Sequence, residues 1–235
     1  RALGRDGVEE LRESVTKYDL SLLNLQGRYS ADKVIQALKK KGSGTLCFYG
    51  MPGTGKTQLA EYIALQLNKP LLVKRASDIF SMWLGESEKN IAKIFDEARS
   101  QGAVLLLDEA DSFLRDRAMA KASWEVTTVN ELLTRMEHFP GVFICATNLF
   151  EALDAAALRR FTFKFSFKAL DAEQRVRMFK NEVGVHLKDS DPMWDELMSL
   201  QYLTPGDFAT VQRQAKIFDE VLTPDVWLQQ LKIES

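Results

Sequence analysis

Eight residues, Gly50-Met51-Pro52-Gly53-Thr54-Gly55-Lys56-Thr57, constrain this chain more than any other stretch. They fit the spacing G-x-x-x-x-G-K-[ST]. Thr45-Leu46-Cys47-Phe48-Tyr49 precedes them as a short apolar run, the pattern of a buried strand. Leu59, Ile63 and Leu67 follow at four-residue steps, the stripe of an amphipathic helix. Strand, glycine-rich turn and helix in this order make a phosphate-binding P-loop. The glycines let backbone N–H groups close on phosphate oxygens without a Cβ in the way. The first helical turn adds unpaired N–H donors and a partial positive charge. Lys56 is placed to reach the β- and γ-phosphates, and the Thr57 hydroxyl to ligate Mg²⁺. Pro52, Gly53, Thr54, Gly55 and Gln58 complete the expected nucleotide contacts.

The rest of the chain continues the alternation. Asp32 to Lys40 predicts a short helix ending at Gly42. Further strands are predicted at Pro70 to Lys74, Ala103 to Leu107 and Val142 to Ala146. Between them, Ile91, Ile94, Phe95 and Ala98 mark one helix face, and a long helix from about Ser123 has Val126, Val129, Leu133 and Met136 on another. Phe161, Phe163, Phe165 and Phe167 alternate with polar residues, which predicts a half-covered strand at the margin of the sheet. Strands alternating with helices imply a parallel sheet with right-handed crossovers. After Leu170 the pattern is purely helical: Asp171 and Gln174 form a capping-box pair, and Thr204-Pro205-Gly206-Asp207 caps a helix lined by Phe208, Val211, Ala215 and Phe218. The expected organisation is an N-terminal extension over 1–30, an α/β domain over 31–170 and an all-helical lid over 171–235. Within the extension, the apolar residues of Tyr18 to Asn24 are expected to dock on the body.

Leu105-Leu106-Leu107-Asp108-Glu109 puts two acids at the carboxyl end of a buried strand. In an open α/β sheet that end is where ligands bind. Asp108 is placed to hold Mg²⁺, directly or through water. Glu109 is placed to orient and deprotonate an attacking water. Asn148 ends the next strand at the same edge, with an amide able both to donate and to accept. Asp111, Arg115, Asp116, Arg117 and Lys121 form a mixed-charge stretch, readable as a solvated loop and helix face, or as a second pore loop or subunit contact.

These residues together resemble the AAA+ ATPases, specifically the AAA clade in its narrow sense, over about Lys40 to Ile217. The P-loop matches the family's Walker A segment, Asp108-Glu109 its Walker B, and Asn148 its sensor 1. The resemblance implies a P-loop NTPase-type five-stranded parallel sheet sandwiched by helices, followed by the small helical lid. It implies ATP hydrolysis to ADP and phosphate with Mg²⁺. Met82-Trp83-Leu84-Gly85-Glu86-Ser87-Glu88 resembles the family's pore loop, in which Trp83, with Leu84 beside it, would grip an extended polypeptide. Ala157-Leu158-Arg159-Arg160-Phe161 resembles the arginine-finger segment; Arg160 aligns best, with Arg159 as the alternative. A second arginine a few residues on, usual in the family, is replaced here by Thr162-Phe163. Gly206 matches the small residue that opens the sensor-2 helix, letting it sit close to the nucleotide. A segment that contacts adenine ahead of the P-loop in many members is absent.

Composition bounds the partners. The net charge of −2 over 235 residues gives no overall basic field, so nucleic acid is not the expected partner. A protein substrate and self-association into a ring, a hexamer by resemblance, are expected instead. A nucleic-acid remodeller or clamp-loader-like ATPase and a nucleotide-gated assembly switch are the alternatives. Cys47 and Cys145 fall in predicted buried strands and are expected to pack as small apolar residues. His138 and His186 have no partners at metal-binding spacing. No long apolar segment is visible, and a cytoplasmic location is the simplest expectation.

Overall fold

The computed structural model describes residues 19–79, 85–114, 123–148, 155–183 and 191–235. The strands are β1 (Asn24–Gln26), β2 (Gly44–Gly50), β3 (Leu71–Arg75), β4 (Val104–Asp108), β5 (Val142–Thr147) and β6 (Phe163–Lys168). They form one sheet in the order β1-β6-β2-β5-β4-β3. The pairs β2–β5, β5–β4 and β4–β3 are all parallel. Consecutive strands β2 and β3 are not adjacent, so the chain crosses over through helices, as alternation demands.

Five of these strands match the sequence reading. The sixth, β1, is only three residues long and carries no periodic signal. Its presence changes the status of β6. Alternation of apolar and polar residues places that strand at the margin, yet it lies between β1 and β2. Phe165, Ser166 and Phe167 are all buried, so both faces are covered there.

The chain folds as two compact units. The first comprises, within the described residues, Gly27–Gly50 and Lys56–Ser166; the second comprises Asp19–Gln26, Met51–Gly55 and Phe167–Ser235. In the first unit, α1 (Ala31–Lys41) starts at the Ser30 cap and ends at Gly42, which turns left-handed with φ of 77°. α2 (Lys56–Gln66) buries Leu59 and Ile63. α3 (Glu86–Gln101) buries Ile91, Ile94, Phe95 and Ala98, the face its spacing predicts. Short α4 (Asp111–Leu114) follows β4, and α5 (Ser123–His138) buries Leu133 and Met136. α6 (Ala155–Leu158) leads into β6. Between α3, α5 and the sheet, Phe95 packs 5.4 Å from both Phe139 and Phe143 by ring centroid.

Cys47 and Cys145 face each other in register on β2 and β5, both free and buried. Burial pushes the Cys47 thiol up to about 12 and raises Cys145 as well. Both therefore behave as small apolar residues, as expected.

The second unit is helical apart from β1 and the end of β6. α7 (Ala172–Val183) begins at a reciprocal box: the Gln174 N–H donates to Asp171 at 2.8 Å, and the Asp171 N–H donates to Gln174 at 3.1 Å. α8 (Met193–Ser199), α9 (Pro205–Phe218) and α10 (Pro224–Glu234) complete it around Phe179, Trp194, Leu197, Phe208, Val211, Trp227 and Leu231. Arg175 is buried among them, donating to the carbonyls of Leu170 at 2.9 Å and Met198 at 2.7 Å. Phe218 departs from expectation. It is 71% exposed at the last turn of α9, where Asp219 turns the chain left-handed. The apolar face therefore stops at Ala215. Among the described residues, no helix is long and apolar enough to cross a membrane.

Candidate active site

Four parallel strands end at one edge of the sheet. Tyr49 of β2 pairs with Thr147 of β5, and Asp108 of β4 pairs with Arg75 of β3. The glycine loop leaves β2 there. Gly50, Gly53 and Gly55 take φ of 138°, 73° and 94°, conformations that residues with a side chain rarely adopt. Such a run of turns aims successive N–H groups inward, the geometry of an anion cradle. The loop stabilises itself through the buried Thr54 hydroxyl, which donates to the Met51 carbonyl at 2.7 Å.

Lys56 opens α2. The residue is only 7% exposed, and Nζ donates to the Gly50 carbonyl at 2.9 Å. Burial pulls its pKa down to about 8, against the opposing charges of Asp108 and Asp111. Those two acids do not fully offset the lost hydration of the ammonium, and phosphate oxygens would add the missing negative charge. Thr57 follows, and its hydroxyl donates to Asp108 Oδ2 at 3.0 Å. The two residues expected to hold Mg²⁺ are thus brought together. Among the described residues no three His, Cys, Asp or Glu side chains cluster as a metal cage. A hydroxyl and one carboxylate completed by phosphates and water is the donor set that Mg²⁺ takes, so these residues fit it.

Glu109 stands next to this pair with φ of 54°, a left-handed conformation that non-glycine residues rarely adopt. Its N–H donates to Asp108 Oδ1 at 2.9 Å, which holds the turn. The residue is exposed, as a group that must meet a water requires. Asn148 is exposed at the end of β5, and its backbone N–H donates to Asp111 Oδ1 at 3.0 Å.

Pro52 and Gln58 are exposed at the loop and on α2. Gly206 donates its N–H to the Gly53 carbonyl at 2.8 Å. A Cβ on Gly206 would lie 2.7 Å from the Gly53 Cα. The small residue is therefore required by the loop backbone itself. A Cβ on Gly55 would likewise lie 2.7 Å from Leu23 Cδ2. This contact comes from the N-terminal segment, for which sequence reasoning names no individual partner.

Other expected residues are not part of this cluster. Arg159 and Arg160 lie exposed after α6, and the Arg160 carbonyl accepts from the Thr45 hydroxyl at the start of β2 at 3.3 Å. The Arg160 guanidinium pairs with Glu137 at 3.2 Å. Trp83, Leu84, Arg115 to Lys121 and His186 lie outside the described residues. His138 is exposed on α5 and bonds the Thr134 carbonyl at 2.9 Å. Sequence reasoning missed the inward role of Asp111, because an acid among mixed charges carries no signal of direction.

Comparison with known proteins points the same way. The family described as "ATPase family associated with various cellular activities (AAA)" matches residues 46–169. An "Uncharacterized AAA family ATPase y4kL" of Sinorhizobium fredii is 35% identical over 186 residues, covering 78% of this chain and 55% of that protein. "Protein SUPPRESSOR OF K(+) TRANSPORT GROWTH DEFECT 1" of Arabidopsis thaliana is 34% identical, covering 65% of this chain and 36% of that protein. Spastin of Drosophila persimilis is 32% identical, covering 74% of this chain and 23% of that protein. The chain thus spans about half or less of the length of these relatives. Among solved structures, a chain in the E. coli MS115-1 HORMA:CdnC:Trip13 complex superposes with a TM-score of 0.63 at 20% identity, covering 96% of this chain and 82% of that one. That likeness concerns the fold alone.

Proposed function

Since the chain belongs to the AAA family of ATPases, we propose that it hydrolyses ATP to ADP and phosphate with Mg²⁺. The observation that carries this reading is the Thr57–Asp108 contact of 3.0 Å beside the buried Lys56. In this reading the loop amides and Lys56 hold the triphosphate. Thr57 and Asp108 would hold Mg²⁺, which when bound neutralises charge on the β- and γ-oxygens. Glu109 takes a proton from a water as its oxygen attacks the γ-phosphorus. Asn148 positions that water. The bond to the β–γ bridging oxygen breaks, and ADP leaves carrying the released electron pair. Arg160, or Arg159, acts on the nucleotide of a neighbouring copy in a ring. Trp83 and Leu84 grip a protein substrate, which turnover remodels; for this step the support is sequence resemblance.

Glu109→Gln tests the core of the proposal. It should abolish turnover while leaving ATP affinity within about threefold of the parent, because it removes only the base. Turnover at the parental rate would rule out the base assignment. Lys56→Ala should lose nucleotide binding itself; unchanged binding would remove the phosphate site.

A further inference from the structure

Building on the reading of Asn148 as the group that positions the attacking water, we propose that Asp111 is a positioning residue for hydrolysis. It fixes the Thr147–Asn148 end of β5 against the acidic turn that carries Glu109.

Three hydrogen bonds stitch the two segments together. The Ala110 N–H donates to the Ala146 carbonyl at 2.9 Å. The Asn148 N–H donates to Asp111 Oδ1 at 3.0 Å, and the Thr147 hydroxyl donates to the same oxygen. One oxygen accepting two donors is what a carboxylate does well, since it offers lone pairs and no proton of its own. Thr147 is 1% exposed, so no bulk water can replace Asp111 as its partner. The backbone tie falls on Asn148 itself, which sets where its Cα stands and hence where its amide can reach. Asp111 follows Glu109 by two residues, so the clamp couples base and water-positioning group in one unit. Asp111 touches neither Lys56 nor Thr57 through any of these bonds. Its charge also helps to offset the buried Lys56 ammonium. Its loss as a clamp should therefore be felt in turnover. Any change in nucleotide affinity should follow the lost charge and be shared by a neutral residue that keeps the two hydrogen bonds.

The test compares Asp111→Ala, Asp111→Asn, Asn148→Ala and the Asp111→Ala/Asn148→Ala double variant of the full chain. Steady-state ATP hydrolysis is read beside the affinity for fluorescently labelled ADP. Asp111→Ala should lower kcat about 10- to 100-fold, while any change in ADP affinity should be the same, within about threefold, in Asp111→Asn, which removes the same charge. Asp111→Asn, whose side-chain oxygen can still accept both donors, should restore most of the turnover. In the Asn148→Ala background, Asp111→Ala should add less than about threefold, because both act through one group. Asp111→Ser, too short to reach both donors, replaces the alanine variant if that protein does not bind ADP. Parental kcat in Asp111→Ala, an asparagine variant as impaired as the alanine, or losses that multiply in the double variant would each overturn the assignment. Parental kcat in Asn148→Ala would instead overturn the reading of Asn148, and so separates the two.

Discussion

At the scale of single residues, Lys56 carries the sharpest chemical consequence. Its folded pKa stands at about 8, below the ordinary 10.5, because burial disfavours the ammonium. Between those values the unfolded chain binds more protons than the folded one, so the contribution of Lys56 to stability rises with pH across that window. Below about 8 the folded protein carries a buried cation that Asp108 and Asp111 offset only in part. Phosphate binding relieves this, but only while Lys56 is protonated. Nucleotide affinity should therefore hold level up to about pH 8 and then weaken by up to about tenfold per pH unit. Titrating labelled ADP from about pH 7 to 9.5 reads this directly. Lys56→Arg supplies the control, since a guanidinium stays charged throughout and its affinity curve should be flat. An equally steep decline in that variant would assign the pH dependence to another group. The strained φ at Glu109 belongs to the same scale, since the residue held in a disfavoured conformation at this turn is the one given the base role.

At the scale of elements, two glycines of the second unit press backbone against backbone. The Gly206 N–H meets the Gly53 carbonyl at 2.8 Å, at the start of α9. A Cβ at Gly206 would sit 2.7 Å from the Gly53 Cα and 3.1 Å from its carbonyl oxygen. Both neighbours are backbone, so neither can swing aside. Gly206→Ala should destabilise the protein by about 1–3 kcal/mol and weaken ADP binding as Gly53 is displaced. Thermal unfolding and the same labelled-ADP titration check the two effects; an alanine variant matching the parent in both would show that the loop yields freely. Sequence reasoning names Gly206 as a small residue but cannot say what presses on it, because contact between positions so far apart in the chain leaves no local pattern. Elements are legible where burial imposes a period. β4 reads as an unbroken apolar run because both its faces are covered, and α3 shows its buried stripe at i, i+3, i+4 and i+7. β1 is not legible, since three residues cannot display a period, and the misplacement of β6 follows from that omission. In the site, the P-loop and the acid pair are legible because phosphate chemistry fixes residue types at fixed spacing. Asp111 is not, because its direction depends on how β5 ends beside it.

At the scale of the whole molecule, the arginines and the phosphate loop lie at opposite ends of β2. Thr45, which binds the Arg160 carbonyl, is five residues from Gly50. At about 3.3 Å per residue that is a separation of about 16 Å, beyond the reach of an arginine side chain. Arg160 cannot therefore serve the phosphates bound by its own loop. It lines a recess of about 400 Å³ with Lys41, Glu137 and Phe163. Its pairing with Glu137 is solvent-exposed and worth at most about 1 kcal/mol, so the guanidinium is readily released to a stronger anion. A site that needs this arginine is complete only where a second copy presents it. This predicts complementation. On the proposed roles, Arg160→Ala would keep an intact phosphate loop but offer no finger, and Lys56→Ala would offer the finger but bind no nucleotide. Each alone should be nearly inactive. Mixed in equal amounts, they should hydrolyse ATP faster than either, because some interfaces pair an intact loop with an intact arginine. Specific activity of the parent should rise with protein concentration for the same reason. If mixtures show no gain at any ratio while Arg159→Ala with Lys56→Ala does, the finger is Arg159. If neither pair complements, each chain hydrolyses ATP with its own residues alone, and the role of Arg160 reduces to its contact with Glu137.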